Sequence, residues 1–277
     1  MFVAKSHASG FTLAHQLWAQ RHWLPINPDG YRDDPFPRGK EKKVMIIGDS
    51  FTAGDGIENY RHTFGNRLED LIKPQYDVIN LGQRGADSQK ELINFTNIKI
   101  IPDIIFLQYY GNDIESAAER AGIRRHGMSK ADRLVHKWLL RPSFFLEYMV
   151  ANVQLKANRN PRRFFRQAYQ SEAALNHHFS DLNQLIRFCK QYNIKLAVVL
   201  FPFLSKMEDS SIYLPTMQQY FKEQGVPTIN LYHLLQQLPE HERIVHAKNH
   251  HPSEKAHAIT AQTIHRFMQQ QKWLVTN

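Results

Sequence analysis

Apolar residues in this chain gather in five short, nearly unbroken runs: Val44–Ile47, Tyr76–Asn80, Asp103–Gln108, Ile194–Phe201 and Val226–Asn230. Val, Ile and Leu dominate them, and several are apolar at consecutive positions. A strand with one wet face alternates, whereas a run apolar on both faces fits a parallel sheet covered on both sides. Between the runs, apolar residues recur at helical spacing over Phe64–Ile72, Ser88–Asn97, Ala174–Gln191 and Thr216–Gln224. A last helix is expected over Ser253–Gln271, with Ser253 as its N-cap. Alternation of this kind predicts an α/β protein, a three-layer α/β/α sandwich around a central parallel five-stranded sheet.

Two segments break the alternation. Residues 1–40 hold one helical stretch, Phe11–Trp23, and then Pro25, Pro28, Pro35 and Pro37, which reads as an N-terminal arm. The remaining 41–277 form the main domain. Residues 114–180 read as a helical, basic insertion between the third and fourth strands, with a helical pattern around Lys130–Val150. It falls beside the carboxyl ends of the strands, where open α/β sheets bind ligands.

Charge sharpens this picture. The net charge is +9, and residues 114–170 alone carry 12 Lys or Arg against 4 Asp or Glu. A local basic patch implies an anionic partner or substrate near that segment. Arg162, Arg163 and Arg166 interleave there with Phe164, Phe165 and Tyr169. The pattern fits a solvated helix face with an apolar stripe, or a lid that meets an anionic substrate or surface. A nucleic-acid surface is disfavoured, because no recognised module accompanies the charge. The single cysteine, Cys189, excludes an internal disulfide and reads as a buried thiol. The first residues lack a continuous apolar core, so no signal peptide is expected, and no run approaches a membrane span. The expected location is cytoplasmic, or membrane-associated or exported if an upstream anchor has been removed.

The chemistry is expected where the apolar runs end. The first run stops at Gly48, and Asp49 and Ser50 follow at once. A buried strand ending in a tight turn lifts the Ser50 hydroxyl from the sheet edge, with backbone N–H groups free to face an oxyanion. After the second run comes Gly85, after the third Gly111-Asn112-Asp113, and before the final helix Asn249-His250-His251-Pro252. Together they supply a hydroxyl, a close-approaching backbone, a carboxamide and an imidazole, the parts of an acyl-transfer site.

Gly48-Asp49-Ser50-Phe51, Gly85, Gly111-Asn112-Asp113 and His251-Pro252 occur in the order and context of the SGNH (GDSL-type) hydrolases, which the chain resembles. Asn27-Pro28-Asp29-Gly30-Tyr31-Arg32-Asp33 resembles the lead-in of one bacterial branch of that family. The resemblance spans about residues 20–113 and 190–270, and 114–180 has no assignable counterpart. It implies the flavodoxin-like SGNH fold and a serine esterase or deacylase. Ser50 would be the nucleophile and His251 the base. The N–H groups of Ser50 and Gly85, with the Asn112 side chain, would form the oxyanion hole. Asp49 and Asp113 would fix turns, and His257 would make a structural hydrogen bond. His251 is preferred to His250 because Pro252 follows it. Family analogy alone gives the substrate: a small acyl ester, such as acetyl, of a carbohydrate or related metabolite. Acyl transfer to a sugar, or a weak or inactive protein that binds a polysaccharide or protein partner, are the alternatives.

One position departs from the family. The aspartate expected two or three residues before the histidine is replaced by Asn249 and Lys248. An asparagine carbonyl can hold the imidazole tautomer but brings no charge, and in a serine protease such a change costs about 10⁴ in turnover. The pair is then a weak dyad, draws on an acid elsewhere (Asp55 or Asp87), or is inactive. No cofactor or metal is expected. His177–His178 and His250–His251 lack ligand partners at suitable spacing, and Gly48–Gly56 lacks the Gly-Lys-Ser/Thr ending of a phosphate loop.

Overall fold

The computed structural model describes residues 26–36, 39–124, 161–247 and 249–274. The expected helices at Phe11–Trp23 and Lys130–Val150, and Lys248, lie outside them.

Each apolar run became a strand. They are β1 (Lys42–Gly48), β2 (Tyr76–Gly82), β3 (Ile104–Tyr109), β4 (Lys195–Leu200) and β5 (Thr228–Asn230). They pair in parallel in the order β2-β1-β3-β4-β5, with Val44 opposite Val78 on one side and Ile104 on the other. The chain leaves β1 toward β2 and later returns to the other side of β1 with β3. That reversal of direction opens a crevice at the carboxyl ends of β1 and β3.

The period-2 geometry of a strand divides the core in two. Met45, Ile47, Ile105, Leu107, Val198 and Leu200 face one layer of helices. Val44, Ile46, Phe106, Ala197 and Val199 face the other. The first layer comprises α3 (Ser88–Asn97), α4 (Glu115–Arg120), α5 (Pro161–Gln170), α6 (Glu172–Gln191) and α7 (Leu214–Glu223). The second holds α2 (Phe64–Ile72), α8 (Tyr232–Gln236) and α10 (Glu254–Gln270). Ser253 caps α10 by accepting from the Ala256 N–H, as its sequence position suggests.

Short elements complete the sheet edge: α1 (Ser50–Ala53), α9 (Glu240–Arg243) and the antiparallel pair β6 (Ile244–His246) and β7 (Asn249–Pro252). The segment 114–180 begins and ends in the covering layer. Ile114, Ala117 and Ala118 are buried, and α6 runs through position 180. Phe164, Phe165 and Tyr169 on α5 are buried too, the apolar stripe seen in the sequence. No helix among the described residues is long and apolar enough to cross a membrane.

Candidate active site

Ser50 opens α1 directly after β1. Asp49 is its N-cap, and its carboxylate accepts from the Phe51 N–H at 2.8 Å. The turn is tight enough to dictate its glycines. A Cβ on Gly48 would lie 2.2 Å from Thr52 Oγ1, and one on Gly82 would lie 2.1 Å from the Ala53 nitrogen. Gln108 at the end of β3 accepts from the Asp49 N–H at 3.1 Å and from the Thr52 hydroxyl at 2.9 Å. Three parallel strands therefore converge on the residues that hold Ser50.

The imidazole comes from the hairpin. His251 Nε2 lies 2.8 Å from Ser50 Oγ, and its Nδ1 lies 2.5 Å from Asn249 Oδ1. An amide oxygen can only accept, so Nδ1 carries the proton and the unprotonated Nε2 accepts from the serine hydroxyl. Burial holds the His251 pKa below the usual histidine value, while the charges of Asp55 and Asp49 oppose that shift and those of Arg84 and His250 assist it. A neutral ring is the form a general base requires. The neighbouring His250 turns away and contacts the Ala247 carbonyl at 3.0 Å. His257, fully buried, accepts at Nδ1 from the Phe64 N–H at 3.1 Å, a structural bond between α10 and α2. Burial pushes its pKa down to about 3.

Asn112 reaches the same place from the loop after β3. Its amide donates to Asp49 Oδ2 at 2.9 Å and approaches the Ala86 carbonyl at 3.5 Å. The first bond is sound and the second is at the limit, so one of the two amide protons is weakly held. The Asn112 amide therefore spans the Ser50 turn and the turn that carries Gly85, whose φ is +68°. Asp49 is buried, which raises its pKa, while bonds from the Phe51 N–H and the Asn112 amide, the charge of His251 and the nearby Gln108 side chain oppose the shift. It braces Asn112 and the turn, and Nδ1 of His251 is held by Asn249 instead. Asp113 accepts from the Tyr110 N–H at 2.7 Å and shapes the β3 exit.

Of the two carboxylates named as substitute acids, Asp87 caps α3 and bonds the Ser116 N–H and hydroxyl, which gives it a structural place. Asp55 stands at the histidine, with Oδ2 3.7 Å from Nε2 and 2.9 Å from Arg84. The three arginines of α5 differ from one another. Arg162 pairs with Asp209 and lies over the Phe203 ring, whereas Arg163 and Arg166 are on the exposed face. Among the described residues no group of His, Cys, Asp and Glu is arranged to hold a metal ion.

Sequence reading missed Arg32. It is 2% exposed, and its guanidinium donates to the carbonyls of Gly54 (2.7 Å), Ile57 (2.5 Å) and Glu58 (2.9 Å). It thus fixes the loop that carries Asp55. A basic residue in a proline-rich stretch gives no hint of burial, and the Asn-Pro-Asp-Gly-Tyr-Arg motif was the available signal.

A serine at a strand-to-helix turn with an imidazole 2.8 Å from its hydroxyl is an arrangement suited to acyl transfer. Residues 46–259 match the GDSL-like Lipase/Acylhydrolase family, and the chain belongs to that family. No curated protein matches its sequence. Among solved structures, the lipase/acylhydrolase from Enterococcus faecalis is similar at 16% identity and TM-score 0.52, covering 83% of this chain and 96% of that one. A member of the lipolytic G-D-S-L family from Veillonella parvula is similar at 15% identity and TM-score 0.51, covering 82% and 98%. At such identities the likeness concerns the fold.

Proposed function

We propose that the protein is a serine esterase that removes a small acyl group, best an acetyl group, from a carbohydrate or related metabolite. The observation that carries this reading is the chain of contacts from Asn249 Oδ1 through His251 to Ser50 Oγ, at 2.5 and 2.8 Å. Ser50 Oγ attacks the ester carbonyl carbon while His251 Nε2 takes the hydroxyl proton. The carbonyl oxygen becomes an oxyanion, met by the N–H groups of Ser50 and Gly85 and by the Asn112 amide. Each such donor is worth about 10²–10³ in turnover. The tetrahedral intermediate expels the alcohol, which leaves with the proton from His251. Water then attacks the acyl-enzyme by the same route and frees the acid and Ser50.

Phe51 is a buried core side chain that packs on the half-buried Tyr110 (ring centroids 4.4 Å) and on the His251 ring (5.4 Å), so the nucleophile turn and the base share an apolar backing. The exposed arginines of α5, Arg163 and Arg166, suit an anionic part of the substrate. Charge reversal of Arg163 and Arg166 is then expected to raise the KM of an anionic ester more than that of a neutral one. Equal effects would remove α5 from substrate binding.

The test of the reaction itself is covalent labelling. Wild type should take up one fluorophosphonate and hydrolyse short-chain aryl esters, and Ser50→Ala should do neither. No adduct and no turnover across pH 6–9 would refute the reading.

A further inference from the structure

We propose that Asp55 supplies, from the Nε2 side of His251, the negative charge that Asn249 cannot supply from the Nδ1 side. The inference rests on the reading of His251 as the base. Asn249 fixes the tautomer, but an amide leaves the imidazolium formed during attack without a counter-charge. Asp55 Oδ2 lies 3.7 Å from the nitrogen that receives the proton. A carboxylate only 6% exposed is costly unless partnered, and the same oxygen is held by Arg84 at 2.9 Å.

The loop is built to keep it there. The Asp55 N–H donates to the Ser50 carbonyl at 2.9 Å, Gly54 takes φ +74°, and Arg32 clamps the carbonyls of Gly54 and Ile57. Next in the chain, Gly56 packs so closely on the hairpin that a Cβ would lie 2.9 Å from Asn249 Nδ2 and from the Val245 methyls. The carboxylate and the amide thus reach the same ring from two loops in mutual contact. Other charged or titratable groups that act on His251 are Asp49, Arg84 and His250, and the Phe51 ring packs against it.

Asp55 is a positioning residue of electrostatic kind. It takes no proton: the Ser50 proton passes to Nε2 and on to the departing alcohol, while the Asp55 charge lowers the energy of the cation in between. Asp87, the other candidate, is absorbed in the α3 cap.

The test is to transpose the charge, with 4-nitrophenyl acetate as substrate. Asp55→Asn should lower kcat/KM about 10–100-fold and move its acid limb to lower pH by about one unit. Adding Asn249→Asp puts a carboxylate on Nδ1 and should restore at least about tenfold. A merely structural Asp55 predicts an unshifted limb and a gain from Asn249→Asp no larger in Asp55→Asn than in wild type, and either result overturns the proposal. Arg84→Gln reads the same field with opposite sign. It should move the limb to higher pH, and this variant decides if Asp55→Asn does not fold. If wild type shows neither turnover nor a fluorophosphonate adduct, the esterase reading fails separately. The NMR titration of the His251 ring then decides on Asp55, and an unchanged midpoint in Asp55→Asn refutes it.

Discussion

The two halves of the site are built very differently. The nucleophile stands at the end of β1, whose Val44–Ile47 segment is almost fully buried between two layers of helices. Its turn is held by its own Asp49, by Gln108 of β3 and by Asn112 of the loop after β3, and the loop beyond it by Arg32. The base stands on a two-stranded hairpin of three and four residues, with His250 exposed beside it. A small hairpin has little stability of its own and leans on what it packs against. Damage to the scaffold on the nucleophile side should therefore unfold the protein, whereas damage on the base side should silence it.

Four experiments bear on that difference. The largest effect is expected from Arg32→Met. It removes a buried guanidinium from the carbonyls of Ala53, Gly54, Ile57 and Glu58, and should cost about 3–5 kcal/mol in chemical denaturation. A loss under about 1 kcal/mol would show that the loop holds without its clamp. Asn249→Ala is the opposite case. The catalytic barrier should rise by about 2.7 kcal/mol, a factor of about 10² in kcat, with the thermal midpoint nearly unchanged. A large fall in the midpoint would show that the hairpin carries stability after all.

Acid should weaken the scaffold. His178 and His257 are fully buried, and burial pushes both pKa values down from 6.5 to about 3. The unfolded chain binds these protons more readily, so stability is complete above the unfolded value and falls as pH drops from 6.5 toward 3. At pH 5 each should cost about 2 kcal/mol, and His257→Gln should remove one share of the pH dependence. A flat stability between pH 7 and 5 would contradict the burial of these rings as neutral species. The smallest effect belongs to Gly85→Ala. At φ +68° an alanine is strained by about 1–2 kcal/mol, although a Cβ there meets nothing within 4 Å. Its stability loss should be modest, and any larger loss of kcat would report the backbone N–H.

The same contrast explains what the sequence revealed. The nucleophile side was legible because burial on both faces leaves runs such as Val44–Ile47, and because a glycine ends the run where a side chain cannot fit. The α2 and α3 boundaries were readable for a related reason: each has one apolar face, and Asp87 caps α3. The hairpin was not legible. Ile244–His246 and Asn249–Pro252 are short, mostly polar and end in a proline, so no period-2 signal marks them. His251 was found by its chemistry and its Pro252 neighbour instead. Arg32 escaped because buried cations defy the hydrophobic pattern, and they show only in the carbonyls gathered around them. Asp55 was visible only as a carboxylate near the catalytic edge, since the distance to His251 depends on how two loops pack.

The central claim is that Ser50 is acylated with His251 as its base. The most direct measurement is intact-protein and peptide mass spectrometry after acid quench of a reaction with 4-nitrophenyl acetate. One added acetyl group is expected on the peptide containing Ser50, gained in wild type, absent in Ser50→Ala and much slower to form in His251→Ala. Acetylation at another residue, or ester turnover that persists in Ser50→Ala, would contradict it.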